Sequence, residues 1–128
     1  IAMQQLVFQS AWDKQIAPND REKIIKLFNS SKDDLHTEIT FLPIKQAFNH
    51  EHALLVTVLI HNFTDIDFPI ENLQLSYYET NHPVAEHSFS FPGLTVTANT
   101  SMPWTFIFPH SSWLSEPLLQ DGELIIIN

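Results

Sequence analysis

His50 and His52 flank Glu51, and this is the first place in the sequence where side chains could do chemistry together. On a strand, residues two apart project from one face, so two imidazoles beside a carboxylate could hold zinc or copper. No third ligand stands at a defined spacing, and a polar loop entering an apolar strand is the plainer reading. Asn62, Asp65 and Asp67 fall within six residues. That density of oxygen ligands suits calcium, but the segment lacks the glycine and terminal acid of an EF-hand loop. Asx side chains also build turns by bonding their own backbone, and that is the expectation here. Serines, histidines and acids are plentiful, yet no Gly-x-Ser-x-Gly elbow is present. The absence of cysteine excludes thiolate nucleophiles and thiolate metal sites. With only Gly93 and Gly122, no glycine-rich loop can cradle a phosphate. The expectation is a non-enzyme with no catalytic residue, no metal and no cofactor.

Charge narrows the partners. All six basic residues (Lys14, Arg21, Lys23, Lys26, Lys32, Lys45) lie in residues 1–45, where six acids balance them. Residues 46–128 hold nine acids and no lysine or arginine, so the net charge of −9 belongs to that segment. Nucleic acid needs a basic footprint and is excluded as a partner. Six of the seven histidines share the acidic segment. Free imidazoles titrate near about pH 6.5, so a basic partner held there should bind less well as pH falls or salt rises.

These residues must be positioned by a mostly β chain. Residues 1–128 suit one domain, and no apolar run approaches a membrane span. Alternation from Leu6 to Trp12 predicts a first strand. The period then changes: Pro18-Asn19-Asp20-Arg21-Glu22 predicts a helix start, with Asn19 as N-cap and Glu22 as its box partner. Ile24, Ile25, Leu27 and Phe28 share one helical face, giving a single short helix near residues 19–30. Strands are expected from Thr37 to Leu42, Ala53 to His61, Glu71 to Tyr78, Val84 to Phe91, around Trp104 to Phe108, and Glu123 to Ile127. About seven strands without alternating helices predict an all-β, antiparallel immunoglobulin-like β-sandwich. Ala53 to Ile60, interrupted only by Thr57, reads as a central strand covered on both faces.

Three tryptophans and ten phenylalanines supply the candidate contact surface. Trp104 shares its parity with Phe106 and Phe108 and belongs in the core. Trp113, in the connection Ser111-Ser112-Trp113-Leu114, is the better exposed candidate. Together with Glu71, Glu79 and Glu86 it makes up the expected partner contact.

Several runs resemble one family. Leu55-Val56-Thr57-Val58-Leu59-Ile60-His61-Asn62, Ile70-Glu71-Asn72-Leu73-Gln74-Leu75, Val84-Ala85-Glu86-His87-Ser88-Phe89 and, above all, Asn99-Thr100-Ser101-Met102-Pro103-Trp104-Thr105-Phe106-Ile107-Phe108-Pro109 are similar, in order, to segments of the SLAP domain. That domain occurs in the accessory Sec system S-layer assembly proteins of Gram-positive bacteria. The resemblance implies a protein–protein module that helps secrete or assemble S-layer proteins. Its partner would be a secreted S-layer precursor or an accessory Sec component. It implies a cytoplasmic location, with peripheral membrane association and no transmembrane segment. The family's proteins carry the domain in tandem, and this chain has one copy. His61 stands where the family has arginine, and Glu86 where it has arginine or lysine. A surface-exposed sandwich that binds a glycan or adhesion ligand is the alternative.

Overall fold

The computed structural model describes residues 4–33 and 38–127. Thr37, the expected start of the second strand, lies outside them. In chain order the elements are β1 (Gln5–Leu6), α1 (Ser10–Gln15), α2 (Pro18–Ser31), β2 (Ile39–Phe48), β3 (Leu54–Asn62), β4 (Phe68–Pro69), β5 (Leu73–Glu79), β6 (His82–Phe89), β7 (Thr95–Val96), β8 (Thr100–Phe108) and β9 (Gly122–Ile126). A 3₁₀ turn, His110–Ser112, follows β8. One sheet runs β1-β8-β3-β2 and the other β6-β5-β9, with the short pair β4-β7 apart from both. No helix among the described residues is long and apolar enough to cross a membrane.

The all-β sandwich is as the alternating pattern predicts. β3 lies between β2 and β8, antiparallel to each. Its residues Leu54, Val56, Val58 and Ile60 point into the space between the sheets, with Phe106 and Phe108 of β8 and Leu75 and Tyr77 of β5. Each such side chain taken fully from water contributes about 1.5–3 kcal/mol. Phe89 locks the two sheets together, meeting Phe106 and Phe108 edge-on at 5.0 and 5.1 Å between ring centroids. Trp104 joins this core half-buried, edge-on to Phe91 at 5.5 Å.

The opposite face of β3 explains why that strand is apolar throughout. Leu59 projects outward and is covered by Ile24 and Phe28 of α2, with Leu6, Phe8, Trp12, Ile16, Leu42 and Ile44 around them. Helices thus form a third layer on the outside of one sheet. His61 lies under the same layer, 1% exposed. Its ring hydrogen-bonds Ser31 of α2 at 2.8 Å and Ser101 of β8. Ser101 in turn accepts from Gln4 Nε2 at 3.0 Å. The position that departs from the family's arginine therefore ties α2, β3, β8 and the N-terminal segment together in the interior.

The N-terminal region differs from expectation in three ways. The strand expected over Leu6 to Trp12 ends at Leu6, because the Gln9 side chain accepts from Ala11 N–H and starts α1. Trp12 then packs on the sheet from a helix instead of a strand. The second helix starts at Pro18 behind Ala17, not at an Asn19 N-cap. Proline at the first helical position has its φ preset and no N–H to satisfy, so no side-chain cap is needed there. Finally, β1 runs parallel to β8 (Gln5 opposite Thr100), the exception to an otherwise antiparallel pairing.

Candidate interaction surface

Residues 49–53 make a tight connection between β2 and β3. The Asn49 carboxamide oxygen accepts from the backbone N–H of Glu51 at 3.0 Å and of Ala53 at 2.9 Å. His52 donates its N–H to the Asn49 carbonyl at 3.1 Å and sits at φ +60. A non-glycine residue in that region is uncommon and is held there by its surroundings. The turn swings the His52 ring back over Phe48, stacked with centroids 5.7 Å apart. His50 points elsewhere, 3.7 Å from Glu51 with both side chains largely in solvent. The two histidines lie in a loop before β3, in line with the plainer reading, and the turn keeps them from sharing a strand face.

The β3–β8 register sets Leu54 opposite Phe108 and carries this turn alongside the chain that leaves β8. There the 3₁₀ turn presents His110, and Trp113 follows. The Trp113 backbone bridges to Ala85 of β6, and its indole N–H donates to the Phe108 carbonyl at 3.2 Å. Its ring meets His110 at 4.6 Å, His52 at 5.2 Å and Phe48 at 5.7 Å, while the two imidazoles lie 5.4 Å apart. Phe48 is 39% exposed and the neighbouring Leu114 is 59% exposed. Four rings from two stretches of the chain, 48–52 and 110–113, thus make one half-open aromatic surface at an end of the sandwich. Of these, Phe48 and Trp113 are rings of the kind that attract a cation to their faces, worth about 0.5–1 kcal/mol when exposed and more when desolvated.

The acidic candidates do not all assemble around Trp113. Glu71 is exposed but precedes β5, whereas Ala85 beside Trp113 pairs with Tyr77 near the other end of that strand. Six residues of strand separate them by roughly 20 Å. Glu86 is exposed on β6 and accepts from Ser76 Oγ at 3.4 Å. Glu79 corrects the expectation of a surface contact, being only 2% exposed. Its carboxylate accepts from the Tyr77 hydroxyl at 2.7 Å and from the backbone N–H groups of Leu118 and Leu119, each at 2.8 Å. A carboxylate so engaged pins the 117–122 loop and offers nothing to a partner. Burial first, then Glu79 itself, pushes the Tyr77 phenol well above its ordinary range.

The oxygen-rich segment after β3 builds turns. Asn62 donates its amide to the carbonyls of Ile66 and Val96, both at 2.9 Å, and accepts from Thr64 N–H at 3.0 Å. Asp67 accepts from Ala98 N–H at 2.9 Å. No group of three histidines or acids that could hold a metal ion occurs among the described residues.

Phe48 and His110 were not distinguishable as site residues in the sequence, and His52 stood out there only as a metal-ligand candidate beside His50. Phe48 and His52 are four apart, but a contact with residues 110–113 depends on the β3–β8 register, which no local pattern prints.

A family model described as the SLAP domain matches residues 6–123. A search of curated proteins and a search of solved structures each return no match.

Proposed function

This chain belongs to the SLAP domain family, and from that premise we propose that it is a non-catalytic protein–protein module in accessory Sec-dependent secretion or assembly of S-layer proteins. In this reading it works on the cytoplasmic side, peripheral to the membrane, on a secreted precursor or a translocation component. The observation that carries the reading is the half-open surface of Phe48, His52, His110 and Trp113. Aromatic anchors that are partly desolvated already and fixed by backbone bonds are the residues that dominate protein interfaces. The patch belongs to a segment with nine acids and no lysine or arginine, so a lysine or arginine of the partner is the complementary group.

The test compares wild-type protein with Trp113→Ala and Phe48→Ala as baits in the cell of origin, with co-purifying proteins identified. A surface-layer precursor or translocation component retained by the wild type and lost from both folded variants is the expected result. Retention by both variants, or capture of glycans in place of protein, would overturn it.

A further inference from the structure

The helix layer closes on the sheet at one end and stands away from it at the other. Around Leu59, the side chains of Ile24 and Phe28 pack down fully. Two residues back along β3, at Thr57, a half-open pocket of about 400 Å³ is lined by Trp12, Ile16 and Ile24 from the helix side and by Ile44, Thr57 and Thr105 from the sheet. A gap of this size falls in the range of small-molecule pockets, about 300–1,000 Å³.

The floor of the cavity carries a polar row. Lys45 of β2 is opposite Thr57 of β3, and Thr57 is opposite Thr105 of β8. Cross-strand partners project to the same face, and all three residues line the cavity. Thr57 is also the one polar residue in the run Ala53 to Ile60, so the interruption of the apolar strand coincides with the gap. The two threonine hydroxyls bond each other at 2.8 Å. One must donate to the other, which leaves the second hydroxyl proton for an acceptor above the floor. Lys23 of α2 lines the same space. Neither Lys23 nor Lys45 makes an ion pair among the described residues, whereas Arg21 is engaged by Asp13. With Asp20 as the one carboxylate there, the lining carries one net positive charge in a protein of net −9.

We propose that this cavity binds a small carboxylate with an apolar body. The head is received by Lys45 and the Thr57–Thr105 hydroxyls, with Lys23 adding charge from the helix side. The body lies under Trp12 and Ile16, against Ile24 and Ile44. The site is on the opposite face of β3 from the core and does not depend on the proposed function.

The experiment titrates the full chain with decanoate, decanol and decylamine below their micelle concentrations, followed by tryptophan fluorescence and amide NMR shifts. Decanoate should bind about ten-fold or more tightly than decylamine, with shifts centred on Lys45, Thr57 and Thr105. Ala11→Leu, which fills the cavity from α1, should abolish decanoate and decanol binding alike. The double variant Thr57→Val/Thr105→Val keeps the shape of the floor, and should weaken decanoate about five-fold or more while sparing decanol. The proposal fails if decanoate binds no better than decylamine, if the shifts lie elsewhere, or if the valine variant retains wild-type affinity for decanoate.

Discussion

Tyr77 and Glu79, two residues apart on β5, face the same side of the strand, and the phenol donates to the carboxylate across 2.7 Å of buried space. Two backbone N–H groups of the 117–122 loop complete the arrangement. Glu79→Ala leaves three donors without their acceptor. An orphaned buried donor costs about 1–3 kcal/mol, and the two backbone N–H groups are only part-buried and can turn to water, so a total loss of about 3 kcal/mol is expected. Urea denaturation measures it; an unchanged midpoint would mean that solvent reaches these groups.

The same contact makes stability depend on alkaline pH. The Tyr77 phenol is raised from an ordinary value of 10.0 by burial and by the adjacent carboxylate. Its contribution is therefore complete below pH 10, where folded and unfolded states both keep the proton. Above pH 10 the unfolded state releases the proton while the folded state retains it, and stability falls. Tyr77→Phe should flatten this part of the profile. Denaturation midpoints of both proteins from pH 8 to 11 provide the comparison, and parallel profiles would assign the alkaline loss to another group.

Gly122 opens β9 beside the same phenol. A Cβ added there would lie 2.6 Å from the Tyr77 hydroxyl oxygen and 3.0 Å from Gln46 Cδ. The hydroxyl cannot swing aside without leaving Glu79. Gly122→Ala should therefore cost about 1–3 kcal/mol, the usual range for overpacking. Pairing it with Tyr77→Phe, which removes the nearest atom, should recover part of the loss in a double-mutant cycle.

Trp104 separates packing from polarity. Its ring meets Phe91, but its indole nitrogen is buried with no hydrogen-bond partner among the described residues. Trp104→Ala should cost about 3–5 kcal/mol, as for other large aromatics in a core. Trp104→Phe removes the orphaned donor together with some area, and should cost less than about 1.5 kcal/mol. Thermal or chemical denaturation of the pair tests this. A phenylalanine variant as unstable as the alanine one would show that the N–H is satisfied in solution.

The core strands were legible because alternation survives wherever one face meets the other sheet: Leu73, Leu75 and Tyr77, or Phe106 and Phe108, need no knowledge of their partners. The double-sided apolarity of β3 announced a cover on both faces, though not that the second cover would be helical. α1 escaped notice because six residues, Ser10 to Gln15, carry less than two turns of period, and the preceding Val7 and Phe8 alternate like a strand. Glu79 was misjudged for a related reason. Acids are almost never fully buried unless their bonds are met, and its donors come from residues 118 and 119, some forty positions away. The aromatic surface shows the same limit, since its members meet only through strand register.

The parallel pairing of Gln5 with Thr100 has a consequence for how the protein is made. β1 and both helices are synthesised before the strands they rest on, β3 and β8, and must wait for them. Between Phe28 and Leu59, the β3 residue it packs on, the ribosome adds 31 residues, roughly 2–6 s at typical elongation rates. A helix of 14 residues is marginal by itself, so Ile24 and Phe28 spend that interval without a stable surface to cover. The β2–β3 hairpin can form as soon as it emerges, and β8 can add to it. Only then does β1 find its place, so this sheet is completed by the strand that precedes its other members in the chain.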